Sequence, residues 1–140
     1  MKTGNQLITE LYPYFNGDVD LTNLITGEVF RDSRPEDMST GKPRELNDLV
    51  IFETVNSNSR IQEITVMFNY YAKDIAPGVM DDSSLTEVEE KLIEILEGLD
   101  GNGFSLTLAT SIRTPDADRK GWAFLNTRVV FEVYNQNFKT

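Results

Sequence analysis

The sequence predicts an α+β fold: an antiparallel sheet of about five strands with two helices packed on one face, in the order α-β-β-β-α-β-β. Two stretches with helical apolar spacing, one at the start and one past the middle, carry half of that prediction. Five alternating or β-branched runs joined by mostly short polar links carry the rest. The 140 residues, 39% apolar and 26% charged, fit one globular domain over 1–140. A chain of that size buries about two-thirds of its unfolded surface without staples.

The first helix is predicted over about 5–15, where Leu7, Leu11 and Tyr14 or Phe15 share a face. Asn5 offers an N-cap, Pro13 crowds the last turn and Asn16-Gly17 ends it. Asp18 to Ile25 show no clear period, and Glu28–Arg31 read as a brief strand after the Thr26-Gly27 turn. Residues 32–47 form a long polar arm with two prolines, a glycine and seven charged residues. So long a structureless stretch in a compact domain is usually functional or disordered.

Leu49–Val55 is β-branched and aromatic, and Ile61–Tyr71 alternates strictly, with Ile64, Val66, Phe68 and Tyr70 on one side. The two read as a hairpin. After a loop holding Pro77-Gly78, Ser84-Leu85-Thr86-Glu87 has the form of a capping box. Leu85, Val88, Leu92, Ile95 or Leu96, and Leu99 then give one apolar stripe on a helix over about 84–98. Glu87, Glu90, Lys91, Glu94 and Glu97 take the opposite side. Phe104, Leu106, Leu108 and Ile112 alternate with Ser105, Thr107, Ala109 and Ser111 in a strand with one buried face. In the last strand, Trp122 to Asn135, the parity of Trp122 and Phe124 is opposite to that of Leu125, Val129 and Phe131. Either a bulge switches the faces or these aromatics lie on the outer face, where they would favour a subunit interface.

The composition narrows the chemistry. No Cys means no disulfide, thiolate nucleophile or thiolate metal site, and no His means no imidazole base or ligand. An enzyme becomes the less favoured reading. Asp18-Val19-Asp20 and Asp100-Gly101-Asn102-Gly103 open like calcium loops, but position 6 of the first is Asn23 and position 5 of the second is Phe104. The full ligand set fails in both, and they read as turns and caps. The pairs Asp116/Asp118 and Glu36/Asp37 stand in polar loops with nothing apolar nearby to raise a carboxyl pKa. No catalytic residue, metal ligand or cofactor is therefore expected. No apolar run approaches a membrane span, and the start of the chain lacks the form of a secretory signal. The expectation is a soluble protein, cytoplasmic unless it is built into a larger particle.

Thirteen bases against 23 acids give a net charge of −10. Eight of the acids fall in residues 81–100, with Lys91 the only base there. Such a chain does not bind nucleic acid by neutralising phosphates. The acidic side Glu87, Glu90, Glu94 and Glu97 is read first as a solvated helix face. A second reading is an acidic decoy, a DNA mimic that blocks a DNA-binding protein. In the arm, Arg31, Arg34, Lys42 and Arg44 stand among Asp32, Glu36 and Asp37, a mixed-sign pattern that suits a protein partner. With Trp122, Phe124 and Arg128 they are the candidate interface.

In layout the chain resembles the tail-terminator, tail-completion and head–tail joining proteins of long-tailed bacteriophages and prophages. The resemblance runs through the opening helix, the arm after a short strand, the strands Leu49–Val55 and Ile61–Tyr71, and the acidic helix Ser84–Gly98. It ends in a two-strand finish where Thr114-Pro115-Asp116 precedes Gly121-Trp122 and Asn126-Thr127-Arg128. It implies a non-enzymatic virion protein that forms a homo-oligomeric ring, commonly a hexamer, capping the tail tube and meeting tube and connector proteins. It also implies a chain that is monomeric or weakly associated when dilute and holds no DNA stably.

Overall fold

The computed structural model describes residues 3–34, 41, 44–56 and 61–134. The class is α+β: three helices and a five-stranded sheet in the order β1-β2-β3-β5-β4.

Helix α1 (Gly4–Asn16) starts one residue before the predicted span, because Thr3 and not Asn5 is its N-cap. The Thr3 hydroxyl accepts from the Gln6 amide at 3.0 Å, and the Gln6 side chain accepts from the Thr3 amide at 2.7 Å. Those two bonds satisfy donors that the first turn would leave orphaned. The helix runs through Pro13, which lies in its last turn where only one intrahelical bond is lost. The segment without a clear period is a third helix, α2 (Val19–Leu24), so two helices become three. Asp18 caps it, accepting from the Leu21 amide at 2.9 Å, and it buries Leu21.

Strand β1 (Val29–Arg31) pairs with β2 (Leu49–Asn56) in parallel, Val29 against Leu49. This corrects the expectation of an antiparallel sheet and gives the arm an architectural reason. Parallel neighbours need a crossover of a dozen or more residues, whereas a hairpin needs two. The remaining pairings, β2 with β3 (Ile61–Lys73), β3 with β5 (Trp122–Tyr134) and β5 with β4 (Ser105–Pro115), are antiparallel.

Helix α3 (Asp82–Leu99) also starts earlier than predicted. Asp81 is its N-cap, accepting from the Ser84 amide at 3.1 Å, and the proposed box at Ser84 and Glu87 gives way to it. Ser84 is instead 2.6 Å from the hydroxyl of Tyr70. The stripe Leu85, Val88, Leu92, Leu96 and Leu99 is buried, whereas Glu87, Glu90, Glu94 and Glu97 are exposed. All three helices pack on one face of the sheet. Leu7, Leu11 and Phe15 of α1, Leu21 of α2 and the α3 stripe meet Ile51, Ile64, Val66, Phe68, Leu125, Val129 and Phe131 there. A polar seam closes that layer at β4, where Ser111 donates to Glu89 at 2.6 Å and Arg113 to Thr86 at 2.7 Å. No helix among the described residues is long and apolar enough to cross a membrane.

Candidate functional site

The helices cover one side of the sheet and leave the other free of secondary structure among the described residues. Cross-strand partners share a face, so the pairs Val50–Asn69, Phe52–Met67, Met67–Arg128, Asn69–Asn126 and Tyr71–Phe124 all lie on this open side. β5 pairs with β3 without a register break from Ile61 through Lys73. Of the two arrangements left open by the parity of Trp122 and Phe124, the outer face is therefore the one adopted. The bulges lie elsewhere, between Glu53 and Val55 in β2 and between Leu108 and Thr110 in β4. The second bulge corrects the single buried face expected of that strand. Past it, Ile112 pairs with Asn126 on the open side and is 57% exposed, while Ser111 turns toward α3.

The base of the arm folds down onto one end of this face around a buried acid. Asp48, 0% exposed, accepts from the Arg34 Nε at 2.9 Å, the Arg44 Nε at 3.1 Å and the Glu28 amide at 2.9 Å. The tight approach requires glycine at position 27, since a Cβ there would run into the Asp48 carboxylate and stand 2.8 Å from the Asn47 carbonyl. Arg34 also donates to the carbonyls of Arg44 (2.9 Å) and Leu46 (2.7 Å). Its guanidinium lies 4.9 Å from the Tyr71 ring centre and 5.3 Å from that of Trp122. Arg44 sits 5.0 Å over Phe30. Arg119, from the turn before β5, sits 4.0 Å over Trp122. Burial, and after it the neighbouring charge of Arg34, pulls the Arg119 guanidinium below the usual arginine value. Trp122 is outward in parity yet only 5% exposed, because these two arginines cover it.

The rest of the face is tied by an amide network. Asn126 donates to Asn69 Oδ1 at 2.6 Å, and Asn69 donates to the Tyr71 hydroxyl at 3.4 Å. Phe124 is half-buried, its ring 5.6 Å from that of Tyr71. Arg128 is exposed in the middle of the face and pairs with no carboxylate among the described residues.

The structure thus brings Arg34, Arg44, Trp122 and Phe124 together, with Arg128 further along the same face. Arg31 lies apart: it reaches back to α1, donating to Asn5 Oδ1 at 2.6 Å and Thr9 Oγ1 at 3.0 Å. Lys42 lies outside the described residues, as do Glu36 and Asp37. Asp48 and Arg119 are members that the sequence reading missed. Asp48 is a single acid just before a strand and Arg119 one charge among several in a polar turn, and only the Gly27 that Asp48 demands left a trace. Asp18 caps α2, and Asp100 accepts from the Leu106 amide at 3.2 Å, the turn and cap roles expected of them. Among the described residues no group of three or more acids is arranged to hold a metal ion.

Chemically, the open face presents apolar side chains (Phe52, Met67, Val130, Ile112), amides and the exposed cations Arg128 and Lys73 beside an arginine–aromatic stack. These are the groups that protein–protein contacts favour. Comparison with protein-family models and with curated proteins finds no match for the chain.

Proposed function

We propose that the chain is a non-enzymatic assembly subunit of the tail-terminator type, forming a closed ring that caps a phage tail tube and meets tube and connector proteins. One observation carries the reading: among the described residues, a five-stranded sheet is clad by helices on one side only, and its other side holds Ile112, Phe52, Met67 and an Arg128 that pairs with no described carboxylate. Exposed apolar groups rimmed by polar ones mark interaction surfaces. A ring needs two unlike patches, one given and one received, related by a rotation that closes. The bare sheet side and the helical side are two such patches. The acids Glu87, Glu90, Glu94 and Glu97 on the outer side of α3 keep phosphates at a distance, which suits a protein standing at a passage for DNA.

Light scattering over a concentration series, with electron microscopy of the concentrated protein and a DNA gel-shift, tests the reading. The expected outcome is closed rings at high concentration or with tube protein, loss of rings on Arg128→Glu combined with Ile112→Asp, and no DNA binding at physiological salt. Tight, salt-sensitive binding of DNA overturns it. The exposed acidic column of α3 also favours a second reading, the DNA-mimic decoy. Recovery of a DNA-binding protein from lysate, abolished by Glu→Gln changes at those four positions, would put that reading first.

A further inference from the structure

The two margins of the sheet end differently. At one, β1 is three residues long, and its outer carbonyls are used: that of Val29 accepts from the Tyr12 hydroxyl at 2.8 Å and that of Arg31 from the Ser33 amide at 2.8 Å. Past β1, β2 is bent by its bulge between Glu53 and Val55, and the start of α1 at Gly4 stands against the Glu53 side chain. At the other margin β4 is 11 residues long, and Asp100 closes only its beginning by accepting from the Leu106 amide.

Past its bulge, the outer edge of β4 is open. The Asp116 amide donates to the Trp122 carbonyl at 2.9 Å, in register with the pairs Thr114–Phe124, Ile112–Asn126 and Thr110–Arg128. Hydrogen-bonded pairs alternate along an antiparallel ladder, so Ser111 and Arg113 aim their amides and carbonyls out of the sheet. No described residue bonds them there. Exposed edges are usually blunted by lysines, prolines or brevity. Residues 110–114 have none of these, and Pro115 comes only at the end. Their one charge, Arg113, is turned onto α3, donating to Thr86 at 2.7 Å and pairing with Asp82 at 3.3 Å.

A row of free amides and carbonyls is answered by another extended strand. A second copy supplies one, and since its β1 margin is occupied, it can offer only β4. The sequence of that edge also selects one register. Centred on Arg113, the pairing sets two like charges opposite each other and spends Ser111 on Pro115, which has no amide proton. Centred on Ser111, it sets Arg113 opposite Ala109, inside the bulge. Centred on Ile112, it sets Ser111 of each copy opposite Arg113 of the other, so every outward amide and carbonyl of the two residues is bonded. The two Ile112 side chains, each 57% exposed in one copy, then cover each other. The helices do not obstruct this joint. α3 packs over β3, β5 and β4 alike, so it is centred on β5, one and a half strand spacings from the joint. The two copies of α3 would lie about 14 Å apart, beyond the roughly 8–10 Å of packed helices.

We propose that the outer edge of β4 is a docking site for β4 of a second copy, paired antiparallel about a two-fold axis at Ile112. The two sheets then form one continuous sheet. The joint occupies the edge and leaves the bare side of the sheet open. Being two-fold, it is a different contact from the one-way contact of a ring, and the proposal does not rest on the ring reading.

The chain has no cysteine, so a single introduced one reports the register. Opposed Ile112 positions are a pair without mutual hydrogen bonds, with Cα atoms about 4.5 Å apart, within reach of a disulfide. Under mild oxidation Ile112→Cys is expected to form disulfide-linked dimers at least tenfold faster than Thr110→Cys. Position 110 is also exposed, but in this register it faces Thr114 of the other copy. Sedimentation velocity compares the parent with Ser111→Pro and Ser111→Ala. Both variants lose the hydroxyl that reaches Glu89, but only the proline removes the outward amide. Ser111→Ala is expected to dimerise as the parent does and Ser111→Pro at least tenfold more weakly, with circular dichroism checking that each is folded. Equal cross-linking at positions 112 and 110 overturns the proposal, as does a parent that stays monomeric at every concentration. Folded Ser111→Pro that dimerises as well as Ser111→Ala overturns it too. None of these results touches the ring reading, which falls only if no closed ring forms at high concentration or with tube protein.

Discussion

Arg119 donates from Nη1 to the main-chain carbonyl of Arg44 at 2.6 Å, across 75 positions of sequence, while its guanidinium covers the ring of Trp122. The turn before β5 is thereby fastened to the far end of the arm. The bond is charge-assisted, and the cation–π contact is partly desolvated, so together they contribute on the order of 2 kcal/mol. Arg119→Ala is expected to lower stability by about that amount. Trp122 is the only tryptophan, so its emission should shift to the red as water reaches the ring. Denaturation followed by fluorescence and by circular dichroism checks both effects; an unshifted emission would show that Arg119 does not shield the ring.

Asp48 is the pivot beneath that contact. Its carboxylate is shared by two guanidinium groups and the Glu28 amide with no exposure to solvent. Removing one member of a buried ion pair leaves charge uncompensated, at a cost of about 3–5 kcal/mol. Asp48→Ala is expected to be destabilised by that amount in urea unfolding. Gly27→Ala, which pushes a methyl group at the same carboxylate, should lose about 1–3 kcal/mol through the backbone shift it forces. The two changes should be less than additive, since each disrupts the same packing.

Tyr70 sets an alkaline limit. Burial raises its pKa above the ordinary tyrosine value near 10, against the opposing effect of its bonds to Ser84 and Asn47. The folded state thus holds the phenol proton more tightly than the unfolded chain does. The sign follows: this contribution to stability is fully present below about pH 10 and is lost as pH rises from there through the folded value. Tyr70→Phe is expected to cost about 1 kcal/mol at neutral pH, from the lost bond to Ser84, and to flatten the fall in stability as pH rises above about 10. Unfolding midpoints of both proteins over that range test it, and parallel curves would refute the assignment.

What was legible in the sequence was what local periodicity controls. The strict alternation from Ile64 to Tyr70 and the Leu85-to-Leu99 stripe reappear as the covered sheet face and the buried side of α3, and the outward parity of Trp122 and Phe124 is real. Direction of pairing was not legible. Nothing in Val29–Arg31 distinguishes a parallel partner from an antiparallel one, and only the length of chain before Leu49 hinted at a crossover. The Leu108/Thr110 bulge was hidden because apolar parity carries across it, placing Ile112 with Leu106 in sequence and on the other face in space. The caps lie two and three residues from the expected ones where two candidates stand close together, Thr3 beside Asn5 and Asp81 beside Ser84. The site itself was half legible: arginines and aromatics were visible as types, but the buried acid that orders them, Asp48, lies 14 residues after Arg34 and 74 before Trp122 and carries no local pattern.

The acidic side of α3 can be separated from its fold-stabilising role. Glu97 lies in the last turn, where no basic residue is present and unpaired carbonyls make the helix end negative. A negative charge there opposes the dipole, and a positive one favours it by about 0.3–1 kcal/mol at low ionic strength. Glu97→Lys is therefore expected to raise the unfolding midpoint slightly in dilute buffer. The gain should vanish near 1 M salt, where the screening length falls to about 3 Å. Glu90→Lys, on the same exposed side but mid-helix, should not share it. Paired melts of the two variants at low and high salt check this; an equal gain in both would assign the effect to relief of overall negative charge, and a gain confined to Glu97→Lys assigns it to the helix end.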